Sequence, residues 1–204
     1  MEPRELGLRM TGFVQDMAQT SDMEESGQLI KRAMAGDSAA FDQIILRYQR
    51  RVLMTSWRLL GSREDAQDAA QEVFLRLYRH MRRFDEKREL LPWLYRLTVN
   101  VCHDLRRKLR LDAGVAFEEA NHPGTEVDPA GEITRIEQRR IIEEALKTLT
   151  EKEQAAVVLR DIEGLSTKDV ARILGSSETT IRSQISSARV KIRKFVDRLE
   201  KRRP

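Results

Sequence analysis

The stretch from Ser166 to Arg189 carries residues whose types and order suit the reading of a nucleic-acid duplex. A small residue, Ala171, is followed after four positions by Gly175 and after six more by the apolar Ile181. A helix-turn-helix requires that order: a small side chain where two helices touch, a glycine in the tight turn, and an aliphatic anchor on the second helix. Ser166 with Asp169 supplies a Ser-x-x-Asp start signal, and Ser176 or Ser177 can cap the helix after the turn. In that second helix Ile181, Ile185, Ala188, Ile192, Phe195 and Leu199 recur at steps of three and four. Arg182, Ser183, Ser186, Arg189 and Arg193 are left elsewhere on its surface. An ordinary helical hairpin with a solvated charged face shows the same spacing, so the rest of the chain must decide.

A second group opens near Pro92. Leu94, Leu97, Val101 and Leu105 form one apolar side of a helix. Arg96, Asn100, His103 and Arg107 recur at four, three and four, a polar stripe rich in donors, with Arg106 and Lys108 nearby. Trp93 and Tyr95 stand at its start. Aromatic faces beside a basic track suit single-stranded nucleic acid, because bases stack on rings while cations follow phosphates. For Trp93 a core position is an equal alternative.

These groups need helices to hold them, and the apolar periodicity is helical almost throughout from Gln28. A short helix ends at Gly36. Asp37 can cap a longer one carrying Phe41, Ile44, Ile45, Tyr48, Val52 and Leu59, which stops near Gly61. Ser62 and Asp65 open the next, with Ala66, Ala69, Ala70, Val73, Phe74, Leu77 and Met81 on its inner side. Pro92 fits the first turn of a helix running to about Arg110. A further helix is expected from Ile133 to about Leu149, then one capped by Thr150 and Glu153 that stops at Gly164. The predicted fold is all-α: two small helical domains, 28–110 and 133–204, joined by a flexible acidic linker over 111–132, after a mobile tail over 1–27. The linker holds Pro123, Pro129, three glycines and six acids with no basic residue.

Charge sharpens the division. Residues 28–110 carry 18 basic and 10 acidic side chains, and residues 135–204 carry 17 and 11. Two basic blocks flanking an acidic strip suit a polyanion, and solubility alone also accounts for them. The single cysteine, Cys102, excludes an internal disulfide and fits a reducing cytoplasm. No metal site or cofactor is expected, since Cys102 and His103 face different ways on a helix and only His80 and His122 remain. No signal-peptide core or apolar run of membrane-spanning length occurs, so a cytoplasmic protein is expected. No phosphate loop, catalytic triad or metal cluster stands out, so no enzymatic activity is expected.

Two runs carry a family resemblance. Asp65-Ala-Gln-Asp-Ala-Ala-Gln-Glu-Val-Phe74 followed by Trp93-Leu-Tyr-Arg-Leu-Thr-Val-Asn100 resembles the second conserved region of bacterial sigma factors. The segment from Leu146 through Arg189 resembles their fourth. With these two regions alone, a short linker and 204 residues, the chain resembles the extracytoplasmic-function (ECF) group. The resemblance implies docking of core RNA polymerase, through its β′ clamp helices, on Asp68, Gln71, Glu72 and Phe74, although Phe74's own periodicity puts it in the core. Trp93, Arg96, Asn100, Arg106 and Arg107 would capture the melted minus-ten strand, with the loop from Arg82 to Leu91 closing over an extruded base. Ser177, Thr179, Thr180, Arg182, Ser183, Ser186 and Arg189 would read the minus-thirty-five duplex. The β flap of polymerase, promoter DNA and an anti-sigma protein complete the implied partners.

One departure matters. Many members carry arginine at the positions of Gln184 and Ser187, so two cations are expected to be missing from the reading surface. The basic residues from Lys191 to Arg203 can compensate by holding phosphates, or simply form a solvated helix end. Two rival functions share these features: an autonomous helix-turn-helix regulator, and a sigma-like decoy for an anti-sigma factor.

Overall fold

Local chemistry sets where each helix begins and ends. The structure, a computed structural model, describes residues 27–85, 88–112 and 132–201, all helices and short connections with no strand among them. Helix α1 covers residues 27–34 and turns at Gly36. Helix α2 spans Ser38–Leu60, its first turn held by Asp37, whose Oδ1 accepts the Ala40 N–H at 3.1 Å. Helix α3, Arg63–Met81, is capped by Ser62, which accepts the Asp65 N–H at 3.2 Å. Helix α4 runs Leu90–Asp112 and α5 Glu132–Lys147.

Helix α6, Glu151–Val157, opens with a reciprocal cap: Thr150 accepts the Glu153 N–H, and Glu153 accepts the Thr150 N–H. The single helix expected up to Gly164 then changes character. Val158–Ile162 forms a π turn, closed by the Glu163 N–H donating to the Val158 carbonyl at 2.9 Å. A π turn takes in one extra residue, which rotates everything after it by about 100° relative to an uninterrupted α-helix. Helix α7, Thr167–Leu174, and α8, Glu178–Glu200, are the expected helix-turn-helix. Gly175 between them lies at φ 61, a left-handed conformation where a Cβ would be strained.

The described chain divides into two compact units whose boundaries fall inside α2 and α3. The first unit takes the described residues up to Gln49 with Arg76–Glu89. Ile30, Phe41, Ile44, Leu77, Met81 and Phe84 are buried there, and the Phe41 and Tyr78 rings meet edge to face with centroids 5.1 Å apart. The second unit takes Arg50–Leu75 with the described residues from Leu90 onward. Its interior includes Val52, Val73, Leu94, Val158, Leu159, Val170 and Ile181, with Cys102 beneath. Burial pushes the Cys102 thiol up to about 12, so it packs as a small apolar group and is not a nucleophile. The expected tail and acidic linker fall almost wholly outside the described residues.

Candidate nucleic-acid interface

Helix α8 is built to show one face. Ile181, Ile185 and Ala188 are buried against the rest of the unit, with Val170, Ala171 and Ile173 of α7 buried opposite. Ser177 is the N-cap, accepting the Thr180 N–H at 3.1 Å, which fixes the start of the helix and the register of everything on it. Thr179, Thr180, Arg182, Ser183, Ser186 and Arg189 are all exposed, as the apolar spacing requires. Arg182 pairs with Glu178 one turn earlier at 2.8 Å, and Arg189 pairs with Asp161 of the π turn.

A shallow depression runs along this face, lined by Arg160, Thr167, Arg182, Ser186, Arg189 and Arg193. Four guanidinium groups and two hydroxyls on one concave surface match the oxygens of a nucleic-acid backbone. Arg160 and Thr167 are members that the sequence pattern does not reveal. They lie on the π turn and at the first position of α7, and no periodicity within α8 points to them.

Gln184 and Ser187, the positions expected to lack cations, differ in burial. Gln184 is half-buried with its amide oxygen shielded from solvent, and the Ser187 hydroxyl bonds to Glu153 of α6. Ser187 is nonetheless exposed, so at its position the α8 face carries a hydroxyl where a cation is expected in relatives. Glu153 is the hub of the contact with α6. Its Oε2 accepts the Thr150 N–H at 2.9 Å and Lys191 Nζ at 2.7 Å. Burial alone would raise its carboxyl, but Lys191, Thr150 and Ser187 outweigh it and hold the group at about 2.

The polar stripe on α4 divides. Arg96 and Asn100 are exposed, Arg107 is exposed and pairs with Asp104 at 3.5 Å, and Trp93 is half-buried. His103 is also half-buried, and burial lowers its pKa, favouring the neutral ring. Arg106 differs from its neighbours. Its Nη2 donates to Gln154 Oε1 at 2.9 Å, and Glu151 stands 4.0 Å from its Nη1. Of the five residues expected to meet the minus-ten strand, Arg106 is thus engaged by α6, a contact 48 residues away in sequence.

On α3, Asp68 and Gln71 are exposed while Glu72 and Phe74 are half-buried. Phe74 therefore stays out of the fully buried set formed by Ala66, Ala69, Val73, Leu77 and Met81. Leu75 beside it is 44% exposed, so the acid and amide side chains adjoin apolar surface that a partner helix can cover.

Comparison with known proteins identifies the two halves of the chain. Residues 44–111 match the family model of sigma-70 region 2, and residues 139–192 match that of sigma-70 region 4. The RNA polymerase sigma-H factor of Pseudomonas aeruginosa is 31% identical over 185 residues, covering 86% of this chain and 96% of that protein. The ECF RNA polymerase sigma-E factor of Haemophilus influenzae is 34% identical over 170 residues, covering 79% of this chain and 89% of that one. The chain belongs to the ECF RNA polymerase sigma factors. Two solved structures share its fold. CnrH in complex with the cytosolic domain of CnrY superposes with a TM-score of 0.66 at 24% identity, over 85% of this chain and 97% of that one. RpoE in complex with the anti-sigma factor NepR from Bartonella quintana gives 0.64 at 23%, over 77% and 96%. No helix among the described residues of this sigma factor is long and apolar enough to cross a membrane.

Proposed function

We propose that this sigma factor docks on core RNA polymerase through the Asp68–Gln71–Glu72–Phe74 band of α3 and recognises promoters with two separate helices. Helix α4 meets the melted minus-ten strand, and α8 enters the major groove of the minus-thirty-five element. The chain makes or breaks no bond itself; it recognises and positions. The observation that carries the reading is the open α8 face, where Ser183 and Ser186 lie among arginines that line one depression. Hydroxyls of that reach hydrogen-bond base edges, and the surrounding guanidiniums hold the phosphates on either side.

Melting follows from the exposed half of the α4 stripe. Arg96 and Asn100 stand open on α4, with Trp93 one turn ahead of Arg96. Extruding a base costs a few kcal/mol, which stacking and hydrogen bonds to the unpaired base must offset. An anti-sigma protein is the further partner, as NepR is for the structural neighbour RpoE. Domain roles divide accordingly: residues 28–110 for polymerase and the minus-ten strand, 133–204 for the minus-thirty-five duplex.

In vitro transcription with core polymerase on a promoter-fragment library tests the whole reading. Transcripts should start downstream of a shared pair of elements, and each should depend on the added sigma factor. Absence of sigma-dependent starts would overturn it.

A further inference from the structure

The depression on α8 has a carboxylate at its edge. Asp161 follows Arg160, one of the residues lining the depression, and both lie on the π turn. Its Oδ1 accepts Arg189 Nη2 at 2.7 Å and its Oδ2 accepts Arg189 Nε at 3.0 Å, from a position 28 residues away in sequence. The aspartate side chain is 26% exposed and the arginine 63%, so solvent and salt screen the pair. A carboxylate beside a track of phosphates also opposes the approach of DNA. Neither stability nor affinity for DNA accounts for an acid here.

Orientation does. A guanidinium held through Nε and Nη2 has lost its rotational freedom and offers its Nη1 end in one direction. Arg182, the other paired arginine of the depression, is held at 2.8 Å by Glu178, four residues earlier on its own helix. That pair travels with α8 and fixes nothing between elements. Asp161 holds Arg189 from a second element, on a π turn, a feature frequent at functional sites.

An arginine on a free stem follows phosphates wherever they lie, and adds affinity for a duplex in any orientation. A fixed one meets a phosphate only when α8 lies in the groove at one angle, and its side chain has already lost the freedom that binding would otherwise remove. Specificity is a difference of two affinities, so a group that weakens the wrong complex serves it as well as one that strengthens the right one.

We propose that Asp161 is a positioning residue for minus-thirty-five recognition: it confines Arg189 to the docking angle at which Ser183 and Ser186 reach base edges, and so holds down binding at all other angles. The proposal rests on the reading of α8 as the minus-thirty-five helix. It adds that an acid outside α8 sets part of the discrimination between sequences.

The test uses the full chain assembled with core polymerase, titrated on a fluorescein-labelled promoter duplex and on the same duplex with its minus-thirty-five element scrambled. Asp161→Asn should raise affinity for the scrambled duplex roughly fivefold and leave the promoter within about twofold, because ordering the released side chain offsets the gain there. Adding Arg189→Ala should remove the gain on the scrambled duplex, since the released arginine carries it. Arg189→Lys keeps the charge without the two-point fork and should lower discrimination in the same direction. An equal gain on both duplexes, the response to any lost surface charge, would overturn the proposal, as would unchanged discrimination or a gain that persists without Arg189. Should Asp161→Asn lose cooperative melting, Arg189→Lys decides, and unchanged discrimination in it overturns the proposal too. The parent separates the two levels. A parent that binds both duplexes equally sinks the reading of α8 itself, whereas a discriminating parent whose ratio the variants do not move sinks only the role of Asp161.

Discussion

The Arg189 guanidinium on α8 meets the Asp161 carboxylate in a two-point pairing, Nη2 to Oδ1 at 2.7 Å and Nε to Oδ2 at 3.0 Å. Hydrogen bonding to Asp161 raises the arginine pKa, and the pair lies at the surface, with the arginine side chain 63% exposed. An exposed pair of this kind contributes little to stability, because solvent and salt screen it. Its consequence is orientation: the fork of Arg189 is fixed beside the depression shared with Arg160, Arg182 and Arg193.

Arg189→Ala should therefore leave thermal stability almost unchanged. It should weaken promoter binding by the holoenzyme on all sequences alike and flatten the dependence of log affinity on log salt by about one ion. Ser183→Ala or Ser186→Ala should instead change which minus-thirty-five sequence is preferred, with discrimination shifting by about 1–3 kcal/mol. Titrations on promoter and scrambled duplexes at two salt concentrations distinguish the behaviours. A sequence-dependent loss for Arg189→Ala would reassign it to base reading.

Asp68 is exposed on α3, so Asp68→Arg should fold normally. Combined with Glu72→Arg it should abolish co-purification with core polymerase, since cations facing a basic clamp surface cost several kcal/mol. Retained binding by the folded double variant would move the docking surface elsewhere.

Glu153 sets an acid limit. Its folded pKa, about 2, lies below its ordinary value of 4.5, so the unfolded chain binds the proton more readily. The stability it contributes is complete above about pH 4.5 and is lost as pH falls from there towards 2. Glu153→Gln keeps a side chain that can complete the cap but removes the charge opposite Lys191. Chemical denaturation from about pH 6 down to about 2.5 should show a shallower loss in that variant than in the parent. Parallel curves would mean that other carboxyls govern acid unfolding.

Ala171 is 6% exposed in the helix-turn-helix and is buried opposite α8. Ala171→Leu should overpack the crossing and cost about 1–3 kcal/mol, lowering the melting temperature and minus-thirty-five binding together. An unchanged melting temperature would show room at the crossing that the burial does not suggest.

Much of this is legible in the order of the amino acids alone. Asp37, Ser62, Thr150, Ser166 and Ser177 all act on an N–H three positions away, so side-chain chemistry and spacing place the helix starts. Gly175 announces its turn because a residue without a Cβ takes the left-handed conformation freely, and the α8 apolar spacing already separates Ile181, Ile185 and Ala188 from the exposed Arg182, Ser183 and Ser186. What stays hidden depends on partners far along the chain. Arg106 reads as a free cation of the α4 stripe until Gln154 meets it, and Gln184 reads as a surface residue although its amide oxygen is shielded from solvent. The π turn shifts Asp161 and Glu163 out of the helical phase that extrapolation from Thr150 assigns them. A hydrogen bond within one turn is decided by backbone geometry that every helix shares. One between Glu163 and Tyr95, 68 residues apart, exists only once packing has brought two helices to the same place, and no local pattern encodes that apposition.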